Sequence, residues 1–327
     1  MGIRIIGTGM YVPERILTNA DLEKMVDTSD EWITTRTGIK NRRIADAETT
    51  TSDLAFQAAR NALLMADLPA SSLDLIIVAT VTPDKVFPST ACLLQTKLGA
   101  GPCLCFDLEA ACSGLLYAIE VAHAMMAASP NYRRALVVGA EKLSAITDWT
   151  DRNTCVIFGD GAGAVILDKS DDYANDFYLA GKLCADGQYA DILQLPAGGS
   201  ALPASHTTVD ERQHYVKMGG SKTFQMAISL MANTCAELLE QTGMSWNQVR
   251  WLIPHQANER ILTAVGARLG IPERVYVNIR DYGNTSSASI GIALDELNRA
   301  GKIQPGDFIM LTAFGGGLTW GALLLRW

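Results

Sequence analysis

The sequence predicts an α/β fold written twice: two halves of like topology, each a mixed sheet covered by helices. Three observations carry this. Apolar runs of strand length alternate with longer stretches of helical periodicity, and the same order of elements recurs in both halves. Equivalent landmarks also keep a nearly constant separation: Lys97 and Arg268, Cys112 and Asn284, and Ala135 and Phe308 are 171, 172 and 173 residues apart. The halves divide as 1–170 and 171–327, packed about a pseudo-twofold axis.

In the first half, Asp53 to Ala66 is helix-periodic and leads through a Pro/Ser turn to LDLIIVAT at Leu73, the continuous apolar run of a fully buried strand. Lys97-Leu98-Gly99 ends a short helix, and CLCFDLE at Cys103 is a strand. A loop of small residues then opens the helix ACSGLLYAIEVAHAMM, followed by the buried strand RALVVGAE. The second half repeats the series. Phe224 to Gln241 is helical, VRWLIPH at Val249 is a strand, and Arg268-Leu269-Gly270 ends a helix. RVYVNI at Arg274 reads as a strand, NTSSASIGIALDELNRA as a helix and DFIMLTAF as a strand. The first copy carries a longer loop before Lys97, with Pro83, Phe87 and Pro88, a candidate pocket wall.

Composition bounds the function. A chain of 327 residues, 48% hydrophobic and 19% charged, has material for a large core, which excludes general disorder. A net charge of −8 and a pI near 5.1, without clustered Lys and Arg, exclude a general nucleic-acid binder. The N-terminus lacks a signal-peptide pattern, no run is expected to reach the ~18 apolar residues that span a bilayer, and Ile6 excludes myristoylation. A soluble cytoplasmic protein is expected. Seven cysteines without CxxC spacing read as reduced thiols. Cys103 and Cys105 are read as facing apart on their strand, with no His nearby, so no metal site is expected.

Cys112 stands out because it opens an apolar helix among Ala110, Ala111 and Gly114. A buried cysteine there is ordinarily packing, yet unpaired N–H groups and the macrodipole favour a thiolate, and small neighbours leave room for substrate. Ser113 is the rival nucleophile, but Ala111 breaks the G-x-S-x-G pattern. His255 ends a buried strand in LIPHQANERI, where open α/β sheets place ligands. His123 has no polar company, and His206 and His214 belong to the polar insertion Ser200 to Gln213. Asn284 in YGNTSSAS suits a helix cap, although its correspondence with Cys112 favours a functional role. FGDGAGAVILD reads as a tight connection between two β-type runs, and GTGMYVPE has Val12 in place of a third glycine, so neither is a dinucleotide loop. In AFGGGLTWG, three glycines let backbone approach a ligand and aim an N–H at an oxyanion.

These residues together make the chain resemble the β-ketoacyl-acyl-carrier-protein synthase III family of thiolase-like condensing enzymes over almost its whole length. The likeness rests on TSDEWITTRTGI (Thr28 to Ile39), AACSG around Cys112, DRNTCVIFGDGAGA (Asp151 to Ala164), PHQANERI (Pro254 to Ile261), YGNTSSAS (Tyr282 to Ser289) and FGGGLTWGA (Phe314 to Ala322). It implies the αβαβα thiolase-like architecture and a catalytic set of Cys112, His255 and Asn284. It also implies decarboxylative condensation of acetyl-CoA, or another short acyl-CoA, with malonyl-acyl-carrier protein. The products are acetoacetyl-acyl-carrier protein, CO2 and CoA, initiating fatty-acid synthesis without metal or organic cofactor. The N–H groups of Cys112 and Gly316 would form the oxyanion site. Thr28, Trp32, Arg36 and Arg152 would hold the nucleotide end of CoA, and Met218, Gly219, Phe224, Ala257 and Asn258 the pantetheine tunnel. Phe87 would limit the acyl pocket across a homodimer interface, and Arg260 and Lys222 would dock the acidic carrier protein. Asn153 stands where many members of the family have glycine.

Three alternatives remain open from sequence. A condensing enzyme of the same fold would load a different primer in a secondary pathway. A Cys-His-Asn thiol hydrolase would use the same residue types. A carrier-binding scaffold would not need all three residues intact.

Overall fold

Apolar runs in each half pair into one sheet, because strands buried on both faces satisfy their backbone groups only against one another. The computed structural model describes residues 2–327, with the side chains of 220–222 excepted. Strands β1 (Gly2–Tyr11), β2 (Leu75–Ala79), β3 (Leu104–Leu108), β4 (Arg134–Glu141) and β5 (Gly161–Ser170) form a sheet ordered β1-β5-β4-β2-β3. Strand β2 runs parallel to β3 and β4, while β5 is antiparallel to β4 and β1. Strands β6 (Tyr178–Ala185), β7 (Val249–Pro254), β8 (Phe308–Gly315) and β9 (Thr319–Arg326) form a second sheet ordered β7-β8-β9-β6. Only the β7–β8 pair of this sheet is parallel. Matching β2 with β7, β4 with β8, β5 with β9 and β1 with β6 gives the same order in both sheets.

Alternation along the strands sorts side chains into layers. On β2 and β4, Leu75, Ile77, Ala135 and Val137 face the molecular centre, where they meet helices α4 (Gly114–Ala128) and α7 (Ala288–Arg299) and, beyond them, Ile253, Leu311 and Leu323 of the second sheet. The intervening residues Ile76, Val78, Leu136 and Val138 face outward onto α2 (Thr51–Ala66) and α3 (Thr90–Leu98). On the other side, Leu252, Met310 and Leu324 pack against α5 (Gly220–Thr242) and α6 (Glu259–Leu269). The result is five layers, αβαβα, with one helix from each half at the centre. Helices α3 and α6 each end on a left-handed glycine, Gly99 and Gly270.

Four readings of the sequence need correction. RVYVNI is no strand: Pro272–Arg274 is a 3₁₀ turn, and only Val275 bridges to Leu252. The Gln256 side chain takes over this edge, donating to the carbonyls of Pro254 and Tyr276 and accepting from the N–H groups of Asn278 and Ile279. Cys103 and Cys105, two positions apart, share a face, and their sulfurs lie 3.6 Å from one another. Ala111–Ala128 does reach 18 residues of membrane-spanning apolarity; its α4 portion is apolar because it lies between the two sheets. The glycines of FGDGAG run into β5 itself. A Cβ on Gly163 would sit 2.4 Å from the Gly291 carbonyl carbon, so these glycines let α7 lie directly on the sheet.

Candidate active site

Cys112 occupies a 3₁₀ turn, Ala111–Ser113, just before α4. Ala111 adopts a left-handed φ of 45°, and strand β8 presses against the turn from the other half. A Cβ on Gly315 would lie 2.6 Å from the Cys112 nitrogen, so glycine there lets the hairpin reach the cysteine backbone. The thiol is buried, and burial pushes it up to about 12, while the Ser286 side chain and the cysteine's own N–H favour the charged form. Desolvation thus opposes the thiolate that the helix terminus is expected to favour, and among the described residues no cation is a cause of the shift.

His255 follows β7, its N–H bound to the Thr312 carbonyl at 2.7 Å. Its Nδ1 lies 2.8 Å from Ser289 Oγ on α7. Burial holds the imidazole down to about 3, although it also hydrogen-bonds the Ser286 backbone, so it is neutral. Asn284 is clamped by the first half, its N–H bonding the Ile157 carbonyl and its carbonyl accepting from Gly159 N–H. The rival role for Asn284, a helix cap, is not what the structure shows. Its Oδ1 accepts from Ser286 N–H at 2.8 Å, and Ser287 occupies the cap position of α7. Counted from the first residue of each central helix, Cys112 corresponds to Ser286, with Asn284 two residues earlier. A cavity of 110 Å³ nonetheless brings Cys112, His255 and Asn284 together, walled by Phe158, Phe224 and Phe314.

Cys112 also opens onto a second cavity of 630 Å³, lined by Thr80, Val81, Pro83, Val86, Ser286 and Gly316 among others. Gly316 therefore faces the same space as Cys112. Phe87 does not line the cavity of its own chain; it is 84% exposed, next to Val86 at 91%.

Of the residues expected to hold the tunnel, Met218, Phe224, Ala257 and Asn258 line the smaller cavity. Gly219 does not; its N–H bonds the Ile192 carbonyl at 2.7 Å. Asn258 also caps α6 through Arg260 N–H, and its Nδ2 donates to the Arg36 carbonyl. Trp32 sits on α1 (Asp30–Thr37), with Arg152 and Arg36 at 4.5 and 4.8 Å from its ring. Arg152 also donates to the Asp27 carbonyl. The Thr28 hydroxyl nearby in sequence is buried and lacks a hydrogen-bond partner among the described residues, as a site built for a polar ligand would leave it. Arg260 lies over Phe224 at 5.2 Å. Lys222 falls outside the described side chains.

Two family profiles match the chain: 3-oxoacyl-[acyl-carrier-protein] synthase III over residues 106–187, and the C-terminal portion of the same synthase over 239–327. A β-ketoacyl-[acyl-carrier-protein] synthase III of Caldanaerobacter subterraneus is 51% identical over 324 residues, covering 99% of this chain and 97% of its own. The chain belongs to the 3-oxoacyl-[acyl-carrier-protein] synthase III family. The crystal structure of the Aquifex aeolicus synthase III superposes with a TM-score of 0.91 at 50% identity, covering all of both chains. The priming β-ketosynthase of the R1128 polyketide pathway superposes with a TM-score of 0.90 at 33% identity, covering 99% of this chain and 96% of its own.

Within this synthase III fold, sequence reading missed Glu141, Ser286 and Ser289. Glu141 ends an apolar run, where a carboxylate ordinarily marks the solvated end of a strand; here it is fully buried. The serines sit in a small-residue stretch that looked like helix capping, and which side chains they meet depends on the opposite half.

Proposed function

We propose that the chain is a decarboxylating condensing enzyme that joins a short acyl-CoA to malonyl-acyl-carrier protein and so initiates fatty-acid synthesis. The observation that supports this most is the single cavity shared by Cys112, His255 and Asn284. In this reading acetyl-CoA acylates Cys112 and CoA leaves, which splits one difficult bond exchange into two easier ones. The N–H groups of Cys112 and Gly316 hold the oxyanion. Malonyl-carrier protein then enters, and as CO2 departs, charge grows on its thioester oxygen.

Two neutral donors meet that charge. Asn284 Oδ1 is already occupied by Ser286 N–H, which turns the Nδ2 amide hydrogens to the cavity. His255 stays neutral and donates from its ring N–H. One such donor is worth ~3 kcal/mol, on the order of a hundredfold in rate. The enolate carbon attacks the acyl-cysteine, giving a β-ketoacyl-carrier product and restoring the thiol. None of these steps draws on a metal or organic cofactor.

The CoA adenine would enter between Trp32 and Arg152, with Arg36 near the phosphates and Thr28 supplying its unpaired hydroxyl. The pantetheine arm would follow the Phe224 and Asn258 wall. Acidic carrier protein would dock on Arg260, in a cytoplasmic homodimer whose partner supplies Phe87 to the acyl pocket.

Intact-mass analysis after mixing with a panel of acyl-CoAs, then with malonyl-carrier protein, tests the reading. An adduct on wild type, absent from Cys112→Ala and discharged as a ketoacyl product, is expected; an adduct unaffected by that substitution would overturn it. A second reading, a longer primer for a secondary pathway, is favoured by the 630 Å³ cavity, which exceeds what an acetyl group fills. The same panel separates the two by which acyl group loads fastest.

A further inference from the structure

The polar insertion that the sequence sets apart, Ser200 to Gln213, folds upon itself. Ser205 caps a short helix, His206–Asp210, by accepting Thr208 N–H at 3.2 Å. The Thr208 hydroxyl lies 2.9 Å from His214 Nε2, and the N–H groups of Ala197 and Gly198 bond the carbonyls of Gln213 and Leu202. Among the described residues, the hydrogen bonds of 197–215 stay within this segment except at Arg212.

Arg212 crosses to the first half. Its Nε donates to Asp148 Oδ2 at 2.9 Å and its Nη2 donates to Oδ1, the paired bonds of a guanidinium on a carboxylate. The residue holds a left-handed φ of 56°, which glycine would adopt at lower cost, and its guanidinium lies 4.9 Å from the Tyr215 ring. The Asp148 side chain is only 5% exposed. The guanidinium beside it holds its carboxyl far below the usual carboxylate range.

Asp148 opens the loop that carries Arg152. Its Oδ1 also accepts Thr150 N–H at 3.0 Å and Thr150 Oγ1 at 2.7 Å, and its carbonyl accepts Asp151 N–H at 3.0 Å. Arg152 follows directly and lies against Trp32. One buried carboxylate thus fixes the start of this loop and receives the insertion. Without Arg212 it would be a buried charge lacking a cationic partner among the described residues, and water drawn in to solvate it would compete with Thr150 for Oδ1.

We propose that Arg212 is a positioning residue for the nucleotide end of acyl-CoA, setting through Asp148 the loop from which Arg152 meets the adenine. The proposal rests on the reading that adenine binds between Trp32 and Arg152. Neither Arg212 nor Asp148 lines either cavity at Cys112, so the pair serves binding and not the chemistry at the sulfur.

The test is single-turnover self-acylation, read by quenched intact mass over a range of thioester concentrations, on full-length wild type, Arg212→Ala, Arg212→Lys and Trp32→Ala. Acetyl-CoA is compared with an acetyl-pantetheine thioester, which has no nucleotide. Arg212→Ala should raise the half-saturating acetyl-CoA concentration roughly tenfold, with the saturated rate and the acetyl-pantetheine kinetics as in wild type. Arg212→Lys keeps the charge but not the fork, and should recover part of that affinity. Wild-type affinity for acetyl-CoA in Arg212→Ala, or an equal loss with both thioesters, would overturn the positioning role. Trp32→Ala tests the reading beneath it. If Trp32→Ala also affects both thioesters alike, adenine does not bind there and Arg212 has no nucleotide to position; if it impairs acetyl-CoA alone while Arg212→Ala does not, the adenine site stands and the role of Arg212 fails.

Discussion

Ser289 Oγ lies 2.8 Å from His255 Nδ1 and also accepts the Gln256 N–H at 3.3 Å. This contact fixes the orientation of the imidazole from its Nδ1 side. Ser289→Ala should lower malonyl decarboxylation roughly tenfold by freeing the ring, and leave self-acylation unchanged. Equal loss of both half-reactions would contradict this orienting role.

Asn284 holds its amide by one hydrogen bond to Ser286 N–H. Asn284→Ala should retain self-acylation and lose decarboxylation by on the order of a hundredfold. Separate assays of the two half-reactions check it, and parallel loss would show that the asparagine only maintains the turn.

At 4.5 Å from the Trp32 ring, Arg152 leaves no room for a base between them. Adenine entry must displace it from the indole and from the Asp27 carbonyl. Trp32→Ala should raise KM for acetyl-CoA roughly tenfold, in line with the ~1–3 kcal/mol of base stacking. It should leave kcat/KM for an acetyl-pantetheine thioester, which lacks adenine, unchanged. A matching loss with the truncated thioester would place the effect elsewhere.

Glu141 is raised from 4.5 to about 7 by burial, so the folded protein binds this proton more tightly than the unfolded chain. Its contribution to stability is full below pH 4.5 and is lost as pH rises through about 7. Relative to Glu141→Gln, wild type should lose up to about 3 kcal/mol across that interval. Urea denaturation of both proteins over that pH range measures it, and a constant difference would mean that the carboxyl does not titrate there.

Gly163 and Gly291 touch backbone to backbone, where an added Cβ would meet a carbonyl carbon at 2.4 Å. Gly163→Ala should cost about 3 kcal/mol by forcing α7 off the sheet. The shift in denaturant midpoint at constant m-value checks it.

The glycine stretch around Gly163 illustrates where sequence reading stopped. FGDGAG resembled a loop because glycine weakens strands, and nothing local says that a helix from the other half lies against it. RVYVNI failed for the converse reason. Its β-branched pattern is strand-like, but the Gln256 amide already satisfies the backbone groups a ladder would have used. Cys112, His255 and Asn284 were legible because each sits at a break in an otherwise apolar, periodic run.

Local chemistry alone specified the repeated α/β order, the strand faces and those three positions, since periodicity and chain breaks are properties of neighbouring residues. Tertiary packing decided the rest: the burial of Cys112, the neutrality of His255, and the meeting of Glu141 with Ser287. Each of these depends on how much water is excluded and which dipoles replace it, and the groups concerned are distant in the chain: Ser289 is 34 residues from His255 and Ser287 is 146 from Glu141.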